Sequence, residues 1–167
     1  VDVPGTDSQR ISQQVSLDAI PPTVTELLSV EPPAEWRGTS LWSAIREGTV
    51  PPDEPVVSVT VRGETVTSQP IPRSLADGEL WISVRDRDWT YIENVDDGTT
   101  ELYYRPSDPT QQTDLSVEPN NEEQRIIERF STLVGEHATM LGEIESSSAD
   151  ERVDDDLEAQ LEALGYR

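Results

Sequence analysis

Cysteine and lysine are absent from this 167-residue chain, and histidine, methionine and phenylalanine occur once each. Without thiols there is no disulfide, no zinc–thiolate centre and no cysteine nucleophile. A single histidine, His137, excludes multi-histidine metal sites. No run of about 18 apolar residues occurs, so no membrane span is expected. Apolar residues are scarce, at 34%; a self-sufficient globule usually has about 45–50% with glycine counted. The opening Val1-Asp2-Val3-Pro4-Gly5 lacks the basic start and apolar stretch of a secretory signal, so a cytoplasmic location is expected. There is no phosphate-cradling glycine loop and no GxSxG elbow.

What is abundant is acid. Twelve arginines face 34 aspartates and glutamates, for a net charge of −22. Such a charge repels nucleic acid phosphates and anionic headgroups, so neither a nucleic acid nor a membrane is an expected partner. Self-repulsion could leave the chain disordered. Alternatively, the chain could be adapted to very high salt, where screening shrinks to a few Å. Four tryptophans, four tyrosines and clear apolar periodicity argue against disorder of the whole chain. Acid spread along the whole length, with no lysine, favours a salt-loving source. The length suits one domain of ordinary size or a pair of very small ones.

The order of local patterns points to an α+β fold. Residues 1–14 read as an extended lead-in with a Pro4-Gly5 turn. Pro22 suits the first turn of a helix that puts Val24, Leu27 and Leu28 on one face and stops at Pro32-Pro33. Leu41–Arg46 reads as a second short helix, ended by Gly48. Val57, Val59 and Val61 alternate with polar residues as a strand does, and Leu80–Arg85, Trp89–Ile92 and Glu101–Tyr104 follow with turns at Asp86–Asp88 and Asp97-Gly98. The expectation is a small antiparallel meander of three to four strands. After a polar loop beginning at Pro106, Asn120 caps a long helix over about 121–145. Its stripe is Ile126, Ile127, Phe130, Leu133, Val134, His137, Leu141 and Ile144, with Ser146-Ser147-Ser148 ending it. Leu157, Leu161 and Leu164 then mark a short amphipathic helix over about 153–164.

Candidate chemistry is thin, and each candidate has a plainer reading beside it. Asp154-Asp155-Asp156 could bind a divalent cation, but it lacks the spaced oxygens and central glycine of a calcium loop and suits a solvated helix start. His137 could act as a general base, yet it falls on the apolar stripe with no nucleophile suggested nearby. Trp81, Trp89, Tyr91, Tyr103 and Tyr104 could stack on sugars or bases, but strand positions favour packing in the core or on a sheet face. Trp36 and Trp42 read similarly, one of them covering a helix end. Asp86, Asp88 and Glu101 could supply a carboxylate pair for glycoside hydrolysis, although 34 acidic residues make chance proximity near certain. No catalytic, cofactor-binding or metal-binding residue is assigned.

The ordered set of segments resembles the sulfatase family. Pro4-Gly5, then Val15-Ser16-Leu17-Asp18-Ala19-Ile20-Pro21-Pro22-Thr23-Val24-Thr25-Glu26-Leu27-Leu28, then Pro32-Pro33, then Gly38-Thr39-Ser40-Leu41 is similar to the family's PG turn, V-S-x-x-D-I-x-P-T-L-L-x-L-x-G and P-x-x-x-x-G-x-S-L. Arg85–Ile92 looks like R-x-x-x-W-K-Y-I, and Glu101–Leu115 looks like E-L-Y-D-L-x-x-D-P-x-E-x-x-N-L. The ending Leu161–Tyr166 is similar to a frequent sulfatase C-terminus. There are departures: Ser29 for glycine, Thr90 for lysine, Tyr104 for aspartate, Gln111 for glutamate and Asp114 for asparagine.

The resemblance implies the C-terminal third of a sulfatase of the alkaline-phosphatase superfamily. It implies that residues 1–52 are the tail end of the catalytic α/β domain and 53–167 a C-terminal subdomain. Sulfatases hydrolyse sulfate esters with a formylglycine made from C/S-x-P-x-R and a divalent metal, usually calcium. These lie upstream of the PG turn in the family, so the resemblance implies no cofactor on this chain. It implies instead an N-terminal catalytic part as partner, in cis or as a separate chain. Alone, the chain is expected to be inactive, and marginally stable or prone to aggregate, because the helix at Val24–Leu28 would expose its apolar face. Two rivals stand beside this reading: a non-catalytic remnant or split-gene product, and a stand-alone acidic binding module using the aromatic sheet face.

Overall fold

A computed structural model describes residues 11–34, 36–62 and 78–148. The expected helix over 153–164 and the acidic run Asp154–Asp156 lie outside them. A turn of 3-10 helix, Leu17–Ala19, leads into α1 (Ile20–Leu27), and α2 (Trp42–Glu47) follows. Four strands come next: β1 (Val56–Arg62), β2 (Glu79–Arg85), β3 (Trp89–Asn94) and β4 (Thr100–Tyr104). The long α3 (Asn121–Ser148) ends the described chain. The fold is α+β.

The strands form one sheet in the order β1-β2-β3-β4, every neighbour antiparallel. Tight turns join β2 to β3 and β3 to β4, so these strands pair as neighbours. At the first, Asp86 Oδ1 accepts the N–H groups of Asp88 and Trp89, closing the β2–β3 hairpin. At the second, Gly98 takes φ +75°, a left-handed conformation glycine adopts without strain. The side chain of Asp97 accepts the Thr99 N–H beside it.

Alternation puts Val57, Val61, Leu80, Ile82, Val84, Tyr91 and Leu102 on one face. There they meet Phe130 and Val134 of α3, with Leu115, Ile126, Ile127, Leu133, Ala138 and Leu141 packed around them. Ile82, Val84, Leu102 and Phe130 are completely buried. Each such side chain contributes about 1.5–3 kcal/mol through the water it sheds.

The start of α3 follows its sequence closely. Asn120 Oδ1 accepts the N–H groups of Glu122 and Glu123, and Glu123 Oε2 accepts the Asn120 N–H. Three orphan donors are satisfied in this reciprocal box, and two carboxylates stand at the positive end of the helix. The far end differs from expectation. The helix includes Ser146–Ser148 rather than stopping before them. Three serines lower helix propensity only modestly and do not break a helix as proline would. The expected stripe also thins there: Ile144 is exposed.

The first helix begins two residues earlier than Pro22, because both prolines fit its first turn, where their missing N–H groups are not needed. It ends in a Schellman pair. The Val30 N–H donates to the Thr25 carbonyl and the Ser29 N–H to the Glu26 carbonyl, with Ser29 at φ +57°. Only Ala19 and Pro22 are buried in this region. Leu17, Ile20, Val24, Leu27 and Leu28 all stay exposed.

Candidate functional site

The segments around α1 and α2 are clasped together by two contacts. Thr23 Oγ1 donates to the Ala19 carbonyl at 2.6 Å and accepts the Leu41 N–H at 2.8 Å. Gly38 lies so close to the other segment that a Cβ there would fall 1.9 Å from the Asp18 carbonyl oxygen. No residue with a side chain fits without moving backbone. Between this clasp, the stretch 49–57 and α3 lies an open cleft of about 410 Å³. Arg37, Asp18, Ser40, Ser43, Glu54 and His137 are among its lining residues.

His137 therefore points into a cleft rather than into the sheet core, and is half-buried. Burial favours its neutral form, the Arg37 guanidinium adds to that effect, and the Asp18 carboxylate opposes it; the net result is a pKa below the usual histidine value. Its charged neighbours are an arginine and a carboxylate, with no activated hydroxyl. The arrangement supports a histidine held neutral at a packing joint.

The carboxylates singled out for glycoside chemistry do not converge. Asp86 caps the β2–β3 turn with one oxygen and pairs with Arg129 through the other. The Asp88 carbonyl accepts the Arg105 N–H in the same turn. Glu101 stands opposite Ile92, three residues and so about 10 Å further along the ladder. There it accepts the Tyr103 hydroxyl at 2.7 Å. The carboxylates of Asp86 and Glu101 thus serve local structure.

The aromatic residues divide between the two faces of the sheet. Tyr91 is buried beneath α3, with its ring 6.3 Å from that of Phe130 and its hydroxyl donating to Glu93. Burial and that carboxylate push its pKa up. Trp89 and Tyr104 pack at 4.7 Å on the same side. Tyr103 and Trp81 alternate to the opposite face, where Trp81 Nε1 donates to Glu79. Burial, then Glu101, push the Tyr103 hydroxyl up to about 12. Divided in this way, the rings do not form one continuous platform. Trp36 is exposed, and Trp42 opens α2 with its N–H on Ser40 Oγ. Among the described residues, no three histidine, aspartate or glutamate side chains are grouped so as to hold a metal ion. No described helix is long and apolar enough to cross a membrane.

Sequence reasoning missed one contact that crosses the loop after β4. Gln111 Nε2 donates to Thr90 Oγ1 at 3.2 Å, on the face away from α3. Gln111 has a left-handed backbone, φ +56°, and Thr90 is buried. The same loop is tied by carboxylates. Asp108 accepts the N–H groups of Gln112 and Thr113, and Asp114 those of Leu102 and Ser116.

No protein-family model matches the chain, and no curated protein matches it. Solved structures do. One described as a 2-O GAG sulfatase has a TM-score of 0.43 and 21% identity, covering 78% of this chain and 24% of its own. One solved with its substrate, D-glucosamine-2-N,6-O-disulfate, gives 0.44 and 18%, covering 80% of this chain and 24% of its own. A crystal structure from Bacteroides thetaiotaomicron gives 0.43, 21%, 78% and 24%. This chain spans about a quarter of the length of each. Likeness of this degree carries no conclusion about activity.

Proposed function

We propose that this chain is the C-terminal region of a sulfatase-like hydrolase of the alkaline-phosphatase superfamily. In this reading it completes the fold and shapes one wall of the substrate cleft. Hydrolysis of the sulfuric ester belongs to an N-terminal catalytic part, in cis or as a separate chain. The formylglycine and the divalent metal sit on that part, and the exposed face of Leu17, Ile20, Val24, Leu27 and Leu28 docks against it.

The observation that carries the reading is the meeting of Thr90 with Gln111. The sulfatase resemblance puts lysine at the first position and glutamate at the second. The two positions are 21 residues apart, yet one hydrogen bond joins them. A lysine–glutamate pair suits the same juncture, and here a hydroxyl and an amide replace it together. Two departures falling on one contact fit a shared architecture better than chance likeness. Ser29 adds to this: where the family pattern has glycine, the chain keeps the left-handed backbone that glycine favours.

A second reading, the remnant or split-gene product, draws on the same Ser29. A strained residue at a glycine position fits relaxed selection. The DNA upstream of the Val1 codon separates the two. An uninterrupted frame carrying C/S-x-P-x-R and metal-binding aspartates supports the sulfatase reading, and a stop or frameshift withdraws it. The isolated chain is expected not to hydrolyse an aryl sulfate, and metal-dependent hydrolysis by it alone would refute the division of labour. The net charge of −22 further supports a salt-loving source. Circular dichroism is then expected to show unfolding on dilution from molar KCl, and an unchanged spectrum would sink that idea.

A further inference from the structure

The two edges of the sheet are treated differently. The β4 edge is closed by the chain that follows it. The Leu115 N–H donates to the Leu102 carbonyl, Asp114 accepts the Leu102 N–H, and the Ser116 hydroxyl donates to the Thr100 carbonyl. β1 pairs with β2 along its full length, Val56 to Arg62, on one side only. Among the described residues, no backbone outside the sheet pairs with its other side. Alternate residues of an edge strand direct their N–H and C=O groups outward, a ready template for another strand.

Natural edges are usually blunted by charge, proline or a bulge. This one has none of these until Arg62 at its end, and its seven residues are otherwise valine, serine and threonine. In a chain of net charge −22, the strand carries no carboxylate. Its sequence is also self-complementary about Val59. Antiparallel pairing with an identical strand sets Val59 against Val59, Val57 against Val61, and Ser58 against Thr60. Valine meets valine on the helix face and hydroxyl meets hydroxyl on the other. Ser58, Val59 and Thr60 are exposed, and Val59 is 39% exposed although it lies on the core side.

We propose that β1 pairs with β1 of a second copy, in an isologous dimer that continues the sheet across a two-fold axis at Val59. A two-fold contact requires a self-complementary patch, and this strand is one. The partner is a second copy because an identical strand gives that match from Val57 to Val61 and brings no carboxylate of either strand opposite another. Two strand edges bury less than the about 1,200–2,000 Å² of a standard interface. The dimer is therefore weak and concentration-dependent, and it strengthens with salt as the repulsion between two acidic bodies is screened.

The test is sedimentation of the full chain in molar KCl, from micromolar to millimolar concentration. A Leu28→Glu background keeps the exposed α1 face from contributing. A monomer–dimer equilibrium is expected. Ser58→Lys/Thr60→Lys puts like charges opposite each other across the axis and is expected to weaken the dimer at least tenfold. Ser58→Glu/Thr60→Glu is expected to do the same. Both positions are exposed, and circular dichroism of each variant reports its folding. Mixing the two variants pairs lysine with glutamate and is expected to restore a dimer. A monomer throughout the range, a dimer indifferent to both variants, or no recovery on mixing overturns the proposal.

Discussion

Ser29 holds a backbone angle that its side chain opposes, and replacing it with glycine should stabilise the protein by a calculable amount. The residue follows α1 at φ +57°, and its N–H and that of Val30 close the helix end on the Glu26 and Thr25 carbonyls. A left-handed conformation costs an L-residue about 1–2 kcal/mol. Glycine removes that cost but loses roughly 0.5–1 kcal/mol to its freer unfolded chain. Taken near the midpoints of these ranges, the net gain for Ser29→Gly is about 0.5–1 kcal/mol. For a domain of about 150–250 residues, where 1 kcal/mol moves Tm by about 2–4 °C, this is a rise of about 1–4 °C. Ser29→Ala keeps the Cβ and is the control, expected near the parent value. Thermal unfolding in molar KCl reads the global effect. Hydrogen exchange at the Val30 amide reads the local one, should α1 open before the sheet. A glycine variant no more stable than the alanine variant by both measures refutes the assignment of strain to this position.

Four further outcomes follow from single contacts. Gly38→Ala forces a Cβ into the Asp18 carbonyl, so a loss of about 1–3 kcal/mol is expected in chemical unfolding; a neutral result would mean that the clasp yields freely. Two backbone N–H donors outweigh burial and hold Asp114 below the usual carboxylate pKa, so its stabilisation is present above the unfolded pKa of about 4 and is lost as pH falls through the folded value. Asp114→Asn, which keeps an acceptor oxygen, should flatten the acid limb of an unfolding titration, whereas Asp114→Ala should cost about 1–3 kcal/mol at neutral pH. His137 has a lowered pKa, so the unfolded chain takes its proton first and stability falls as pH drops below about 6.5; His137→Gln should remove that slope in unfolding measured between neutral and mildly acidic pH. Thr90→Lys with Gln111→Glu should be more stable as a pair than the sum of the two single changes, by a coupling of about 0.5–3 kcal/mol, and additivity would detach the two sites from each other.

The parts of the fold governed by local rules were legible in the sequence. The alternation of Val57, Val59 and Val61 located β1, Asp97-Gly98 located a turn, and Asn120 located the start of α3. What was not legible depends on contacts distant in sequence. His137 sits at helical spacing with Phe130 and Val134, so periodicity alone placed it with them. The structure puts it in the lining of the cleft that Arg37 and Asp18 also line, where residues distant in sequence set its surroundings. Gln111 offered no local signal. Its left-handed backbone and its reach to Thr90 become meaningful only once β3 and β4 lie side by side. The candidate carboxylates Asp86 and Glu101 looked chemical only because acid is so abundant, and hydrogen bonds inside a turn and along a strand account for both.

Among the described residues, two surfaces are left without partners, and they call for different ones. The face of Leu17, Ile20, Val24, Leu27 and Leu28 is apolar side chain on a helix, which shape and hydrophobic burial satisfy and which many partner surfaces can match. The β1 edge offers backbone groups, which only another strand in register satisfies. Charge separates them further. Glu26 stands within α1, whereas β1 has no carboxylate at all. Salt should therefore act on them through different routes. It strengthens apolar burial at the helix face, and at the strand edge it mainly relieves repulsion between whole molecules. Leu28→Glu should suppress aggregation while leaving the dimer constant unchanged. Ser58→Lys/Thr60→Lys should weaken the dimer at least tenfold while leaving aggregation unchanged. A single variant that removed both would show that one surface, not two, governs association of this chain.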